Sequence, residues 1–133
     1  GKAQIFYESD GMPNVGIIAT GALVHKAIKA ARELEKNGIK SKVLNIATIK
    51  PLDKEAVLQL AKETKRIVTV EEHQKIGGLG SAVSEFLSEN FPVKIKIVGI
   101  DDKFGQSGKP EELIEHYGLG VEGIKSAVKE VLG

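Results

Sequence analysis

The segment that decides the fold runs from Arg66 to Ser81 and reads RIVTVEEHQKIGGLGS. Its first five residues, Arg66–Val70, are mostly β-branched and apolar, which is typical of a strand buried on both faces of a sheet. Three glycines at positions 77, 78 and 80 then provide a tight turn into a helix. The apolar stripe of that helix consists of Leu79, Ala82, Val83, Phe86 and Leu87. A buried strand that enters an amphipathic helix through a short turn is the repeating unit of a parallel α/β sheet.

The same alternation extends through the rest of the chain. Strands are predicted at Ala3–Tyr7, Val15–Ala19, Ser41–Ile46, Arg66–Val70 and Ile95–Ile100. Helices are predicted from Leu23 to a C′ residue at Gly38, after the N-cap Asp53, beyond Gly78, from Pro110 to Gly118, and after the cap Gly120. A helix between two consecutive strands acts as a right-handed crossover, which makes the second strand parallel to the first. The sheet is therefore expected to be mainly parallel, with helices on both faces. The predicted fold is an α/β three-layer sandwich with about five strands, in a single domain that spans residues 1–133.

The first strand departs from this scheme. Only residues 8–14 separate it from the second strand, and seven residues cannot hold a crossover helix. Ala3–Tyr7 is therefore predicted to be either an antiparallel edge strand or an extended lead-in.

Composition excludes several classes of function. Lys and Arg number 19 and Asp and Glu number 18, so the net charge is +1, and binding to a nucleic-acid backbone needs clustered, uncompensated cations. The absence of cysteine excludes disulfides, thiolate nucleophiles and Cys-based metal sites. No apolar run approaches the roughly 18–20 residues that span a bilayer. We expect no nucleic-acid or membrane partner and a cytoplasmic setting, and the start at Gly1 without an initiator Met hints at a piece of a longer protein.

The most informative candidate site follows the strand at Arg66–Val70. Ligands of open α/β sheets bind beyond the carboxyl ends of the strands, and the amino end of the following helix could hold an anion. The candidate anion-binding or interface residues are Glu72, His73, Gly77, Gly78, Gly80 and Ser81. In the structural alternative the glycines only permit tight turning and close helix–sheet packing, His73 is a turn residue and the glutamates are a solvated strand end.

Familiar catalytic and metal-binding motifs are not found. The stretch from Gly78 has Val83 where a dinucleotide fingerprint has its third glycine, and Lys109 is followed by Pro110 instead of the Ser or Thr of a P-loop. The three histidines have no histidine partner at i+3 or i+4. The sequence therefore contains no local motif for a dinucleotide site, a P-loop or a histidine-based metal site.

A second polar segment, Asp101–Gly108, contains a single aromatic residue among glycines. An exposed phenylalanine in such a setting can anchor an interface, and it can equally fold back over the sheet edge. The candidate interface residues here are Asp102, Phe104 and Ser107.

Taken in order, these motifs resemble the C-terminal domain of the transketolase family. The matching stretches are Gly1–Ala3, Ile17–Gly21, Thr48–Asp53, Val70–His73, Gly77–Val83, Asp102–Gly108, Glu112-Leu113 and Tyr117–Leu119. The resemblance covers nearly the whole chain. One departure is Gly120, where similar sequences often have a Thr cap, and this costs only a few tenths of a kcal/mol.

The resemblance implies a place in a thiamine-diphosphate- and Mg²⁺-dependent transferase that moves a two-carbon ketol unit between sugar phosphates. In that family the cofactor is held by other domains, so this chain is expected to bind no cofactor and to be inactive alone. Its expected partners are the cofactor-binding and pyrimidine domains of the same enzyme, within a homodimer. The resemblance also leaves open the matching domain of a 2-oxoacid dehydrogenase E1 β subunit or of a deoxyxylulose-phosphate synthase. An autonomous anion-binding module that uses Glu71–Ser81 is the remaining alternative.

Overall fold

The computed structural model of the chain describes residues 2–47, 49–74, 78–100 and 119–133. These residues form five strands and four helices, in the order β1 (Gln4–Glu8), β2 (Val15–Ala19), α1 (Leu23–Lys36), β3 (Ser41–Asn45), α2 (Lys54–Thr64), β4 (Arg66–Gln74), α3 (Leu79–Asn90), β5 (Lys94–Ile100) and α4 (Val121–Leu132). The helix predicted from Pro110 lies outside the described residues.

The strands form one sheet in the order β1-β3-β2-β4-β5. β1 pairs antiparallel with β3, and the other three pairs are parallel. The prediction of a mainly parallel five-stranded sheet is confirmed, and so is the antiparallel edge alternative for the first strand.

Helices cover both faces of the sheet, which confirms the three-layer architecture. Strand β2 is buried along its whole length, and its successive side chains point to opposite faces. Ile17 packs in the core beneath α1 and α4. Ile18 packs in the core beneath α2 and α3. This two-sided burial explains why the strand is apolar without alternation.

The predicted helix boundaries follow from local chemistry. The Asp53 side chain caps α2 by accepting a hydrogen bond from the Ala56 N–H at 3.2 Å. After α1, Gly38 adopts a φ of +83°, and the Ile39 N–H donates back to the Leu34 carbonyl at 3.0 Å. This is the left-handed C′ position predicted for Gly38.

Two predictions about β4 and α3 need correction. β4 extends to Gln74 rather than ending at Val70, because its carboxyl end pairs again with β5 after an irregularity, with Gln74 opposite Ile100. In α3 the buried stripe is Leu79, Gly80, Val83 and Leu87. Ala82 and Phe86 are only half-buried. Phe86 packs at the margin of the core with the Lys54 ammonium 6.0 Å from its ring centre.

Candidate functional site

The carboxyl edge of the parallel strands is where the fold would place a ligand site. Backbone hydrogen bonds tie the segments that leave this edge to one another. The Thr20 N–H donates to the Val70 carbonyl at 3.3 Å, and the Ile46 N–H donates to the Ala19 carbonyl at 3.1 Å. The edge is therefore held together by main-chain bonds after β2 and β3.

Glu71 is the central feature of this edge. It lies in β4 and is fully buried, with 0% of its surface exposed. Its Oε2 atom accepts a hydrogen bond from the Leu79 N–H, at the first residue of α3. The first N–H groups of a helix lack partners within the helix, and the helix dipole favours a negative charge there. Glu71 thus joins the end of β4 to the start of α3.

This arrangement corrects the prediction that both glutamates form a solvated strand end. Glu72 is exposed, as that interpretation requires, but Glu71 is not. Side chains alternate between the faces of a strand, so two adjacent glutamates enter different environments once β4 continues past Val70. The candidate residues predicted from the sequence began at Glu72, and Glu71 was included only in the anion-binding alternative at Glu71–Ser81. The signal that could have identified it is a carboxylate at a strand end that precedes a helix without a capping side chain.

The remaining residues of this segment are placed as follows. His73 lies within β4, so the interpretation of this residue as part of a turn is wrong. Gly78 is the buried N-cap of α3 and has an extended backbone, with φ −99° and ψ −155°. Ser81 is half-buried in the first turn of α3. Gly77 lies outside the described residues, as do Asp102, Phe104 and Ser107.

Gly80 allows α3 to approach the sheet closely. A β-carbon at this position would lie 2.6 Å from Ile97 Cγ2 and 2.9 Å from Thr69 Oγ1. Real β-carbons do not tolerate such distances, so the site needs a residue without one. The structural interpretation of Gly80 as a close-packing glycine is confirmed.

A second buried charge lies near the amino ends of the parallel strands. The side chain of Lys42, on β3, is only 9% exposed, and its Nζ atom lies 2.8 Å from Glu63 Oε1 and 3.7 Å from Glu8 Oε2. The hydrogen bond from Lys42, and a second from Gln59, lower the pKa of Glu63 below its usual range. These contacts join β3 to α2 and β1, so the charge of Lys42 is balanced within the fold.

The residue 49–54 segment and α3 form the walls of an open cleft of about 600 Å³. Its lining includes Ile49, Lys50, Pro51, Leu52, Lys54, Ala82, Glu85, Phe86, Glu89 and Asn90. The cleft combines an apolar set of side chains with two cations on one wall and two carboxylates on the other. Mixed charges of this kind suit contact with protein better than binding of a polyanion.

Metal ligation and membrane insertion find no support in the described residues. Within 2–47, 49–74, 78–100 and 119–133, no three His, Cys, Asp or Glu side chains come together in a way that could hold a metal ion. None of the helices in that part of the chain has the length and apolarity needed to cross a bilayer.

Comparisons of sequence and of structure with known proteins all match transketolases. Residues 1–124 match the family described as "Transketolase, C-terminal domain". A 6-deoxy-6-sulfo-D-fructose transketolase subunit of Clostridium sp. (strain MSTE9) is 46% identical over 131 residues, which are 98% of this chain and 40% of that relative. A subunit of the apulose-4-phosphate transketolase of Phocaeicola vulgatus is 48% identical over 132 residues, covering 98% of this chain and 41% of the relative.

A solved structure described as a split-gene transketolase, in the form of an inactive tetramer, superimposes with a TM-score of 0.90 at 41% identity. The match covers 98% of this chain and 42% of that one. The chain thus spans about two-fifths of the length of each of these three proteins.

Proposed function

Because this chain belongs to the family of transketolase C-terminal domains, we propose that it is the assembly domain of a transketolase-like enzyme and takes no direct part in its chemistry. The complete enzyme would transfer a two-carbon ketol unit between sugar phosphates, in the cytoplasm and as a homodimer, within pentose phosphate metabolism. Thiamine diphosphate and Mg²⁺ would be bound by its other domains.

The observation that supports this proposal is the hydrogen bond from the Leu79 N–H to the buried Glu71 carboxylate. In an anion-binding module, the amino end of α3 would present its N–H groups to a ligand. Here the Leu79 N–H donates to a carboxylate of the chain itself, and that carboxylate is buried. A negatively charged ligand at the same place would have to displace the Glu71 carboxylate or lie next to it. Repulsion between the two negative charges disfavours such binding. The edge therefore suits a structural joint better than an anion site.

Two carboxylates of the described residues are poor ligands for the metal of the cofactor. Mg²⁺ that carries a diphosphate is held by carboxylate and carbonyl oxygens that remain open to the metal. The buried carboxylate of Glu71 accepts from the Leu79 N–H, and the half-buried carboxylate of Glu63 accepts from Lys42. This supports the proposal that other domains bind the cofactor.

We also infer that the other domains of the enzyme select the sugar substrate. The two relatives carry different sugars in their names, a sulfofructose and apulose 4-phosphate, although both are close to half identical to this chain. A region that both relatives share with this chain at this level of identity is a poor candidate for substrate selection. This supports a role in holding the enzyme together.

The surfaces proposed for assembly are the two segments identified from sequence. The first comprises Glu72, His73, Gly77 and Ser81, and its other two residues, Gly78 and Gly80, are buried within the domain. The second comprises Asp102, Phe104 and Ser107. If they are interfaces, His73→Ala in the complete enzyme should weaken dimerisation, measured by sedimentation, while turnover per dimer stays within about tenfold. A lost acid–base group would instead cost roughly 10²–10⁴ in turnover.

The proposal is tested by mixing the separately produced parts of the enzyme. Adding this chain to the remaining polypeptide should raise the thermal midpoint of that polypeptide, because a partner that binds only the folded state stabilises it. Ketol transfer from a ketose phosphate to an aldose phosphate should increase in parallel. Calorimetry of the chain alone with thiamine diphosphate and Mg²⁺ should show no specific heat.

Two results would contradict the proposal. The remaining polypeptide could be equally stable, dimeric and active without this chain, which would remove the assembly role. Micromolar binding of thiamine diphosphate by the isolated chain would give the domain a direct part in cofactor binding.

A further inference from the structure

The exposed apolar residues of the described part of the chain are concentrated in one short segment. The large hydrophobic side chains that are exposed there are Ile5 at 56%, Phe6 at 44% and Met12 at 74%. All three lie in β1 or in the loop that follows it. Single exposed apolar residues need no explanation, but their confinement to eight consecutive positions at a sheet edge marks a contact surface.

A groove lies beside Ile5. It has a volume of about 160 Å³ and is lined by Ala3, Ile5, Leu44, Ala56 and Leu60, together with the polar Lys42 and Gln59. The side chains that line it are mostly apolar. The ammonium of Lys42 is already paired with Glu63 and Glu8. An occupant therefore needs no negative charge, and an apolar side chain suits the groove best.

The position of the groove indicates which partner fills it. The two transketolase subunits described above are about two and a half times as long as this chain. The family that the chain matches is described as a C-terminal domain. The rest of a relative's polypeptide thus joins at the amino end of the matched region. The polypeptide that precedes the matched region in those relatives therefore enters this domain through the segment that carries Ala3 and Ile5, and both residues line the groove. Such tethering gives the preceding domain a high local concentration at this groove.

A second copy of the chain is a poorer occupant. β1 has five residues, and Phe6 is the extra residue of an irregularity between Ile5 and Tyr7 in the pairing with β3. Bulges and charged flanks protect an edge strand against pairing with another edge. Lys2 and Glu8 flank this strand and are exposed.

We propose that the β1 groove, with Ile5, docks an apolar side chain of the domain that precedes this one in the complete enzyme. The proposal rests on the assembly function and adds a surface to it on the β1 side of the sheet. Ile5 acts as the anchor because it lines the groove and is also exposed, so its burial on docking removes apolar surface from water.

The test compares two lysine substitutions on the same strand. Ile5→Lys removes the apolar anchor, while the matched control Gln4→Lys adds the same charge at an exposed neighbour without removing apolar surface. Binding of each purified chain to the separately produced remainder of the enzyme is measured by calorimetry. We expect at least a tenfold weaker Kd for Ile5→Lys and a change within about twofold for Gln4→Lys. Melting of the isolated variants checks folding, and Ile5→Ser provides a second variant of the same anchor if Ile5→Lys unfolds.

The outcomes separate this inference from the assembly function. If the unmodified chain binds the remainder and Ile5→Lys binds equally well, the groove is wrong and the assembly role stands. If the unmodified chain does not bind at all, both fail. If sedimentation shows that the chain self-associates and Ile5→Lys abolishes this, the groove belongs to an interface between copies and the proposed occupant is wrong.

Discussion

Replacing Glu71 by glutamine tests whether the buried carboxylate is a structural joint. The substitution keeps the shape of the side chain but removes its charge. Glu71 is fully buried and accepts from the Leu79 N–H. A hydrogen bond to a charged group contributes about 1.5–3 kcal/mol and a neutral one about 0.5–1.5 kcal/mol, so the bond weakens by about 1–1.5 kcal/mol.

The new amide group adds a second cost. Its NH₂ donors enter a site built for a carboxylate, and a buried polar group without a partner costs about 1–3 kcal/mol. Together the two effects predict a loss of about 2–4 kcal/mol in the free energy of unfolding. For a chain of 133 residues, 1 kcal/mol corresponds to about 4 °C in Tm. The predicted decrease in Tm is therefore about 8–16 °C.

The assay is urea and thermal unfolding followed by circular dichroism at pH 7, with Glu72→Gln as the matched control. Glu72 is the exposed neighbour of Glu71 on the same strand, so its substitution should change stability by no more than about 0.5 kcal/mol. Equal or higher stability of Glu71→Gln would refute the reasoning. It would show that the buried charge is a cost to the fold, as is common where a group is retained for function.

Three further predictions concern packing and charge. Gly80→Ala should cost about 1–3 kcal/mol in urea unfolding, because its β-carbon would lie 2.6 Å from Ile97 Cγ2; no loss would mean that α3 can move away from the sheet freely. The hydrogen bond from Lys42 lowers the pKa of Glu63, so the stability from this group is complete above the usual glutamate pKa of about 4.3 and is lost as pH falls through the lower folded pKa. Glu63→Gln should therefore flatten the acid limb of a stability–pH curve, and an unchanged limb would contradict this. Phe86→Ala should cost about 1–2 kcal/mol, below the roughly 3–5 kcal/mol of a fully buried Phe, because the side chain is half-buried; a loss above 3 kcal/mol would place Phe86 in the core.

Much of the fold could be read from local patterns. The apolar run Val15–Ala19 forms β2 with the predicted bounds, and Asp53 caps α2 as expected. Strand and helix periods depend on the side chains of a few neighbouring residues, so the sequence carries this information directly. The length of one loop limited the first strand to an antiparallel edge strand or an extended lead-in, and the pairing of β1 with β3 shows that it is the edge strand.

The candidate site was predicted less completely. The sequence located the segment after Val70 and the close-packing glycines, and Gly80 behaves as that interpretation requires. It did not separate the two adjacent glutamates, nor place His73 within a strand. Both depend on how far β4 continues, and this is set by its pairing with β5, a strand more than twenty residues away in the sequence.

What the sequence by itself determined is the type and order of the described elements, most of the core residues and the family. What only the tertiary structure decided is the strand order and the use of the charged groups. Lys42 and Glu71 are charged residues that the fold buries. Each is paired with a group from another element: Glu63 from α2 for the ammonium, and the Leu79 N–H from α3 for the carboxylate. A buried charge is stable only where such a partner meets it, and that meeting exists only in the folded chain.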